Sequence, residues 1–199
     1  MSVDAVNSEG FYRYTYHGPQ IESADISSAE SLGEYAFSYC RKLANVTLSD
    51  DITEIKQYTF AGCDALKNIN LTNVETIGEY AFMECGLENV DISTAETVSK
   101  YAFVSNRLLA SVKLGEKTAE IGEGAFSYCD PLSTVENLKC VENIGDYAFA
   151  YTAITSVDLT AAVNIGRNVF IKENLTPFTV TLGEDVEKIA DNPFAMCKV

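Results

Sequence analysis

The feature that most constrains this chain is an internal repeat about 22 residues long. The segment 77–82 reads IGEYAF, and it returns as IGDYAF at 144–149 and as LGEYAF at 32–37. A unit this short cannot bury its own apolar face, so successive units must stack into a solenoid. Aligned on the last residue of the motif, the repeat places one anchor phenylalanine in each of eight units: Phe37, Phe60, Phe82, Phe103, Phe126, Phe149, Phe170 and Phe194.

Each unit carries two further apolar signals ahead of its anchor. The first is a Leu-x-x-Val-x-Leu pattern such as 43–48, whose last three positions alternate as in a strand with one buried face. The second is an isoleucine or valine, usually followed by glycine and then by the Tyr-Ala-Phe stretch, which is short enough to favour a helical turn. We therefore predict an α/β fold, a right-handed solenoid of about eight repeats with a parallel sheet on one side and short helical turns.

Two units depart from this spacing. The segment 135–138 has an extra residue between its apolar strand positions, and the segment 178–182 replaces the usual pattern. An extra residue in one strand of a pair produces a bulge, so both segments are predicted to form bulges.

These residues resemble a known family of repeats. The Leu-x-x-Val-x-Leu pattern, the Ile-Gly-x-x-Ala-Phe block and a cysteine three residues beyond the phenylalanine are similar to the leucine-rich repeats of the BspA type. The resemblance covers residues 21 to 197 and implies a leucine-rich-repeat solenoid. Such repeats occur in surface proteins of Bacteroides, Treponema and related bacteria and in some parasitic protists. The resemblance thus implies an extracellular or cell-surface location and a role in adhesion.

Residues 1–20 do not fit the repeat. The segment 11–16 alternates and is rich in strand formers, as expected of a strand that covers the first coil. We predict an amino-terminal cap over 1–20 and a repeat solenoid over 21–199. The first residues have neither the basic nor the apolar region of a signal peptide, so the residues themselves do not decide the location.

The charge of the chain excludes one class of partner. Against 14 lysines and arginines stand 29 aspartates and glutamates, for a net charge of -15. Such a chain repels the phosphate backbone, and nucleic acid is therefore excluded as a partner. No apolar run approaches the roughly 18 residues that cross a bilayer, so we expect no membrane insertion in this chain.

The sequence also lacks the residue patterns of common catalytic sites. Its single histidine, His17, has no patterned partner, and its glycines are spaced singly as turn residues rather than clustered in a phosphate loop. The acidic residues are scattered over repeat faces rather than paired in a cleft. We predict no enzymatic activity, no cofactor and no metal site.

The cysteines follow the repeat. Five of them lie three residues after an anchor phenylalanine, where other units have asparagine, threonine or glutamate. Such a position favours small inward side chains that satisfy backbone groups, and a disulfide between stacked cysteines is the alternative. The five are Cys40, Cys63, Cys85, Cys129 and Cys197.

Two other side-chain ladders leave alternatives open. The residue before each tyrosine position is usually charged, and these residues stack from coil to coil. They form either a solvated face or, at Glu123 and Asp146, a place where a cation could bridge two like charges. The tyrosines themselves either pack their rings on their neighbours or stack sugars. They are Tyr35, Tyr58, Tyr80, Tyr101 and Tyr147.

The outward residues of the strands form the best candidate site, because regular rows of polar side chains on a rigid sheet suit binding. We predict that a ligand docks on six of these residues: Asn89, Asp91, Ser111, Lys113, Thr134 and Glu136. The sequence and the resemblance together predict a non-enzymatic binding module, an adhesin-like secreted or cell-surface protein. Its partner would be a protein or glycan, including host extracellular matrix or another cell surface. The alternative is an intracellular protein-protein interaction scaffold.

Overall fold

A computed structural model describes residues 19–172 and 177–197. The described chain contains fourteen short strands and one 3-10 helix, Leu138–Cys140. The strands are β1 (Ser23–Ile26), β2 (Asn45–Leu48), β3 (Glu54–Ile55), β4 (Thr76–Ile77), β5 (Asn89–Ile92), β6 (Thr97–Val98), β7 (Ser111–Leu114), β8 (Glu120–Ile121), β9 (Thr134–Glu136), β10 (Asn143–Ile144), β11 (Ser156–Leu159), β12 (Asn164–Ile165), β13 (Thr179–Leu182) and β14 (Lys188–Ile189).

The strands form a solenoid of parallel sheets, as the repeat predicted. The two-residue strands build one continuous sheet of seven strands in the order β3-β4-β6-β8-β10-β12-β14. The longer strands build three separate sheets, β1-β2, β5-β7-β9 and β11-β13. The sequence analysis did not predict the seven-stranded sheet. Its seven strands correspond to about seven turns of the solenoid. The sheet begins at Glu54, since the first unit contributes no two-residue strand to the described chain.

The core lies between the two sets of strands. The anchor phenylalanines stack face to face along the solenoid, with ring centroids 5.2 to 5.8 Å apart from Phe37 to Phe194. In the six two-residue strands from β3 to β12, the second residue is an isoleucine or valine buried beside this stack. Burial of one aliphatic and one aromatic side chain per coil stabilises each coil on its neighbours.

The Tyr-Ala-Phe stretches, predicted as helical turns, are chains of hydrogen-bonded turns instead. The Phe37 N–H donates to the Thr59 carbonyl oxygen of the next coil at 2.8 Å, whereas the Ser38 N–H donates within its coil to Tyr35 at 3.0 Å. Tyr35 has a φ of 59°, and the same left-handed conformation recurs two residues before later anchors. In an α-helix each of these N–H groups would bond to the carbonyl oxygen four residues earlier in the same segment. The fold is therefore nearly all β, and the predicted α/β class is wrong in this respect.

The two segments predicted to form bulges differ, and in the first the chain turns away after a β9 that pairs with β7 in register. Asn137 adopts a left-handed conformation with a φ of 61°, and the chain then enters the 3-10 helix, so β9 does not pair with β11. The segment 178–182 is regular, because β13 pairs with β11 in register throughout. The right-handed winding stays a prediction. The predicted cap, including His17, lies outside the described residues except for Pro19 and Gln20.

Candidate functional site

The structure brings all six predicted site residues onto one sheet, β5-β7-β9. These residues form two rows that run across the three strands. The backbone register aligns the residues of each row, and the second row lies two residues after the first along every strand. We call this surface the strand-side face. Its first row is Asn89, Ser111 and Thr134, and its second row is Asp91, Lys113 and Glu136.

Side chains in each row bond to one another across the strands. The Ser111 hydroxyl lies 2.6 Å from the Asn89 Oδ1, and the Lys113 Nζ donates to the Asp91 Oδ2 at 2.8 Å. The Lys113 ammonium, followed by the Ser93 hydroxyl, lowers the pKa of the Asp91 carboxyl. The Asp91 carboxylate in turn raises the pKa of Lys113.

Glu136 differs from Asp91 in its partners. Its carboxylate is exposed and forms no ion pair with the residues that the structure describes, although its charge also favours the ammonium form of Lys113. Asp91, by contrast, also accepts the Ser93 N–H at 3.1 Å and so stabilises the turn after β5. Of the two carboxylates on this face, that of Glu136 is therefore the one free to pair with a cationic group of a ligand.

A small pocket adjoins the strand-side face where β9 and β11 separate. Its volume is about 160 Å³, with apolar lining from Val135, Leu138, Ile154 and Val157, and with Lys139 and Asp158 among its polar residues. Because β9 bonds only to β7, and β11 only to β13, each strand has an unpaired edge here. The extra residue in 135–138 was the sequence signal for this break, but the pocket itself was not predicted.

A larger groove lies on the seven-stranded sheet. Its volume is about 490 Å³, and it crosses several coils along the solenoid. Its floor is a column of small residues, including Gly122, Gly145 and Gly166. We call it the axial groove. The sequence analysis did not predict this groove, although the glycine after most of the strand isoleucines was a signal for it.

Close approach of the coils, rather than a turn, explains these glycines. A Cβ atom at Gly145 would lie 2.5 Å from the backbone nitrogen of Glu123 in the preceding coil. Gly145 has no positive φ, so the interpretation of this glycine as a turn residue is wrong. Its role is steric, because only a hydrogen fits between the two backbones.

The charged ladder beside the tyrosines is built from pairs between neighbouring coils. The Lys100 Nζ lies 3.8 Å from the Glu123 Oε2, and the Arg167 Nη2 lies 3.0 Å from the Asp146 Oδ2. Glu123 and Asp146 thus each have a cation from the protein itself. The described residues contain no group of three or more histidine, cysteine, aspartate or glutamate side chains arranged to hold a metal ion.

Four of the five tyrosines pack on one another, as their spacing favoured, whereas the Tyr147 ring has the Arg167 guanidinium 5.7 Å from its centroid. Rings 35, 58, 80 and 101 stack with centroids 4.7 to 5.1 Å apart, and the Tyr101 ring covers Gly124 of the next coil. Since the ring faces along this stack are occupied, they are closed to sugars. The hydrogen bond between the Tyr101 hydroxyl and the Glu123 carboxylate raises the pKa of Tyr101 to about 12, with burial as a second cause.

The cysteine ladder satisfies backbone carbonyl groups, as predicted. The Cys63 thiol donates to the Phe37 carbonyl oxygen at 3.2 Å, and the Cys129 thiol donates to Phe103 at 3.2 Å. All six cysteines are free thiols. Burial raises the pKa of Cys129 to about 12, which keeps its sulfur in the unreactive thiol form.

The repeat pattern of the whole chain matches one family. A model of the BspA type leucine-rich repeat region, in six copies, matches residues 9–87 and 75–199. The chain belongs to this family. The resemblance inferred from the Ile-Gly-x-x-Ala-Phe block is thereby confirmed. The family's fold is typically not catalytic, and leucine-rich repeat proteins are generally protein-binding.

Solved structures show the same fold. A leucine-rich repeat protein from Bacteroides ovatus is 20% identical with a TM-score of 0.62, over 89% of this chain and 64% of that one. A T. pallidum leucine-rich repeat protein is 24% identical with a TM-score of 0.63, over 81% and 74%. The pneumococcal vaccine antigen PcpA is 19% identical with a TM-score of 0.50, over 83% and 52%. This BspA-type chain thus spans less than two thirds of the B. ovatus protein.

Curated protein sequences contain no match to the chain. Within residues 19–172 and 177–197, no helix combines the length and apolar character that crossing a bilayer requires.

Proposed function

We propose that this BspA-type repeat protein is a non-enzymatic, adhesin-like binding module that works at a cell surface or in secreted form. The observation that carries the proposal is the strand-side face, where six outward polar side chains lie in two rows on a hydrogen-bonded sheet. A rigid surface of this kind loses little conformational entropy when a ligand binds. Family membership supports the same function.

A protein ligand fits this face better than a glycan. None of the six residues is aromatic, so the face offers no ring on which a sugar could stack. The adjoining pocket of about 160 Å³ supplies apolar surface for one anchoring side chain of a protein partner. The net charge of -15 favours a basic partner, whose association rate falls as salt rises.

The experiment measures binding to immobilised fibronectin, laminin and type I collagen by surface plasmon resonance. We expect the wild-type chain to bind at least one of them and Glu136→Lys to bind it about tenfold more weakly. The matched control, Glu184→Lys, changes the same charge at an exposed turn outside this face and should retain affinity. Equal affinity of Glu136→Lys and wild type would contradict the assigned face. Absence of binding to all three proteins would contradict the adhesin role.

One observation favours the intracellular scaffold as a second candidate. All six cysteines are free thiols, and disulfide bonds are most often absent from proteins of reducing compartments. Fractionation of the source cells with an antibody against the chain separates the two proposals. Cleavage of the chain when protease is added to intact cells supports the adhesin. A chain that stays uncleaved in intact cells supports the scaffold.

A further inference from the structure

We propose that the axial groove is a second interaction surface, which takes a basic segment of a partner polypeptide in an extended, polyproline II conformation. The groove lies on the seven-stranded sheet, on other strands than the strand-side face, and this proposal does not depend on the proposed function.

The shape of the groove follows from the repeat. From Ile77 to Ile165 the residue after each buried isoleucine or valine of a two-residue strand is glycine or serine, so the sheet is lowest along a line that crosses these coils. The outward residues of the two-residue strands rise on one side of this line, and the charged ladder rises on the other. The result is a channel of about 490 Å³ that crosses several coils over a backbone floor.

The charge of the groove selects a basic occupant. Its lining includes four carboxylates and two ammonium groups, on a chain whose net charge is -15. Lys100 is paired with Glu123 and Arg167 with Asp146 in the ladder, which leaves Glu79 and Glu120 against Lys188 in the lining. Glu120 is exposed and forms no ion pair with the described residues, and Glu79 accepts only a 3.4 Å hydrogen bond from the Gln57 amide. Both carboxylates are therefore open to cations of a partner.

The coil spacing selects the conformation of the occupant. Neighbouring parallel strands lie about 4.8 Å apart, so residues two coils apart on one wall repeat at about 9.6 Å. A polyproline II helix rises about 3.1 Å per residue and repeats after about 9.3 Å, or three residues. A basic residue at every third position therefore meets the same wall every two coils. Glu79 and Glu123 stand two coils apart on the wall formed by the charged ladder, where Glu123 shares its charge with Lys100 between them. Glu120 belongs to the opposite wall.

The test uses a fluorescein-labelled peptide, (Lys-Pro-Pro)4, and measures its binding by fluorescence anisotropy at low salt. The groove variant is Glu79→Gln/Glu120→Gln. The matched control is Glu116→Gln/Glu184→Gln, which removes the same two charges from exposed turns away from the groove. All four side chains are exposed, so both variants should keep the wild-type melting temperature.

We expect the groove variant to bind the peptide about tenfold more weakly than wild type, and the control variant to bind it within about twofold. The flexible peptide (Lys-Gly-Gly)4 carries the same charge and should bind several-fold more weakly, because it is not preorganised. The acidic peptide (Glu-Pro-Pro)4 should not bind.

Three results would overturn the proposal. Equal losses of peptide affinity in the groove and control variants would show that the peptide is held by general charge attraction. Equal affinity for the two lysine peptides would contradict the proposed polyproline II conformation. Failure of the wild-type chain to bind (Lys-Pro-Pro)4 would contradict the proposal that the axial groove binds a basic segment. Glu136→Lys separates this site from the strand-side face, since that variant should bind the peptide as wild type does.

Discussion

The two sets of strands in one solenoid differ in continuity. The two-residue strands form one unbroken sheet of seven, whereas the longer strands form three sheets with breaks at 68–71 and between β9 and β11. The longer strands nonetheless have more residues with which to pair. Continuity along the solenoid thus depends on a local segment that keeps its length in every coil, here from the strand isoleucine or valine to the anchor phenylalanine, more than on strand length.

Each break has a local cause. The outward positions of the segment 68–71 are Asn68 and Asn70, and asparagine is a poor strand former. At the second break the extra residue Asn137 turns the chain away from the strand direction. Between Ile77 and Ile165, by contrast, each two-residue strand ends in an isoleucine or valine followed by glycine or serine, and no residue is inserted.

The largest expected effect tests whether both sets of strands share one core. Phe126→Ala removes a fully buried ring that stacks between Phe103 and Phe149. We expect a loss of about 3 to 5 kcal/mol in the free energy of unfolding, measured by urea denaturation. Hydrogen exchange should rise in both sets of strands together. The control Leu108→Ala changes a side chain that is 52% exposed and should cost less than about 0.5 kcal/mol. An unchanged unfolding free energy for Phe126→Ala would refute the shared core.

A smaller effect tests why the seven-stranded sheet is continuous. Gly145→Ala places a Cβ 2.5 Å from the Glu123 backbone nitrogen and forces two coils apart, which should cost about 1 to 3 kcal/mol. Gly33 has no atom within 4 Å of its Cβ position, so Gly33→Ala is the matched control and should be neutral or slightly stabilising. Thermal unfolding measures both variants. Equal melting temperatures would show that coil spacing does not require glycine.

The third effect concerns the break between β9 and β11. Asn137 holds a left-handed conformation and donates from its Nδ2 to the Leu114 carbonyl oxygen at 2.8 Å. Asn137→Gly loses only the hydrogen bond and should cost about 1 kcal/mol, whereas Asn137→Ala also strains the backbone and should cost about 2 kcal/mol. Urea denaturation ranks the two variants. If alanine is tolerated as well as glycine, the left-handed turn is not what separates the sheets.

The smallest effect tests the bond that joins β5 to β7 on the strand-side face. The Asp91 pKa is lowered from its ordinary value of 3.8, chiefly by the hydrogen bond from Lys113. The group therefore contributes stability at neutral pH that is lost as the pH falls below about 4 and the carboxylate is protonated. Lys113→Met should make unfolding less dependent on pH in this range. NMR titration of Asp91 checks the cause, since a wild-type carboxyl with an ordinary pKa would contradict it.

Much of the fold could be predicted because the repeat restates the same local information many times. The burial of the phenylalanines, the alternation in β5 and β7, and the carbonyl-binding cysteines each follow from a position that recurs in every coil. The helical turns were predicted wrongly, since propensity does not reveal that the Phe37 N–H bonds to the next coil. The six residues predicted to bind a ligand lie together on one sheet, and their role in binding stays a prediction.

The sequence by itself determined the coil, its core and the neighbours of each coil, because a solenoid requires only contacts between identical positions one repeat apart. Tertiary structure alone decided what those coils present to a partner. The axial groove exists because the backbones at Gly122, Gly145 and Gly166 approach closely while their neighbouring side chains point outward. The pocket beside β9 exists because one inserted residue separates two strand edges. Both features arise from distances between coils, which no single repeat contains.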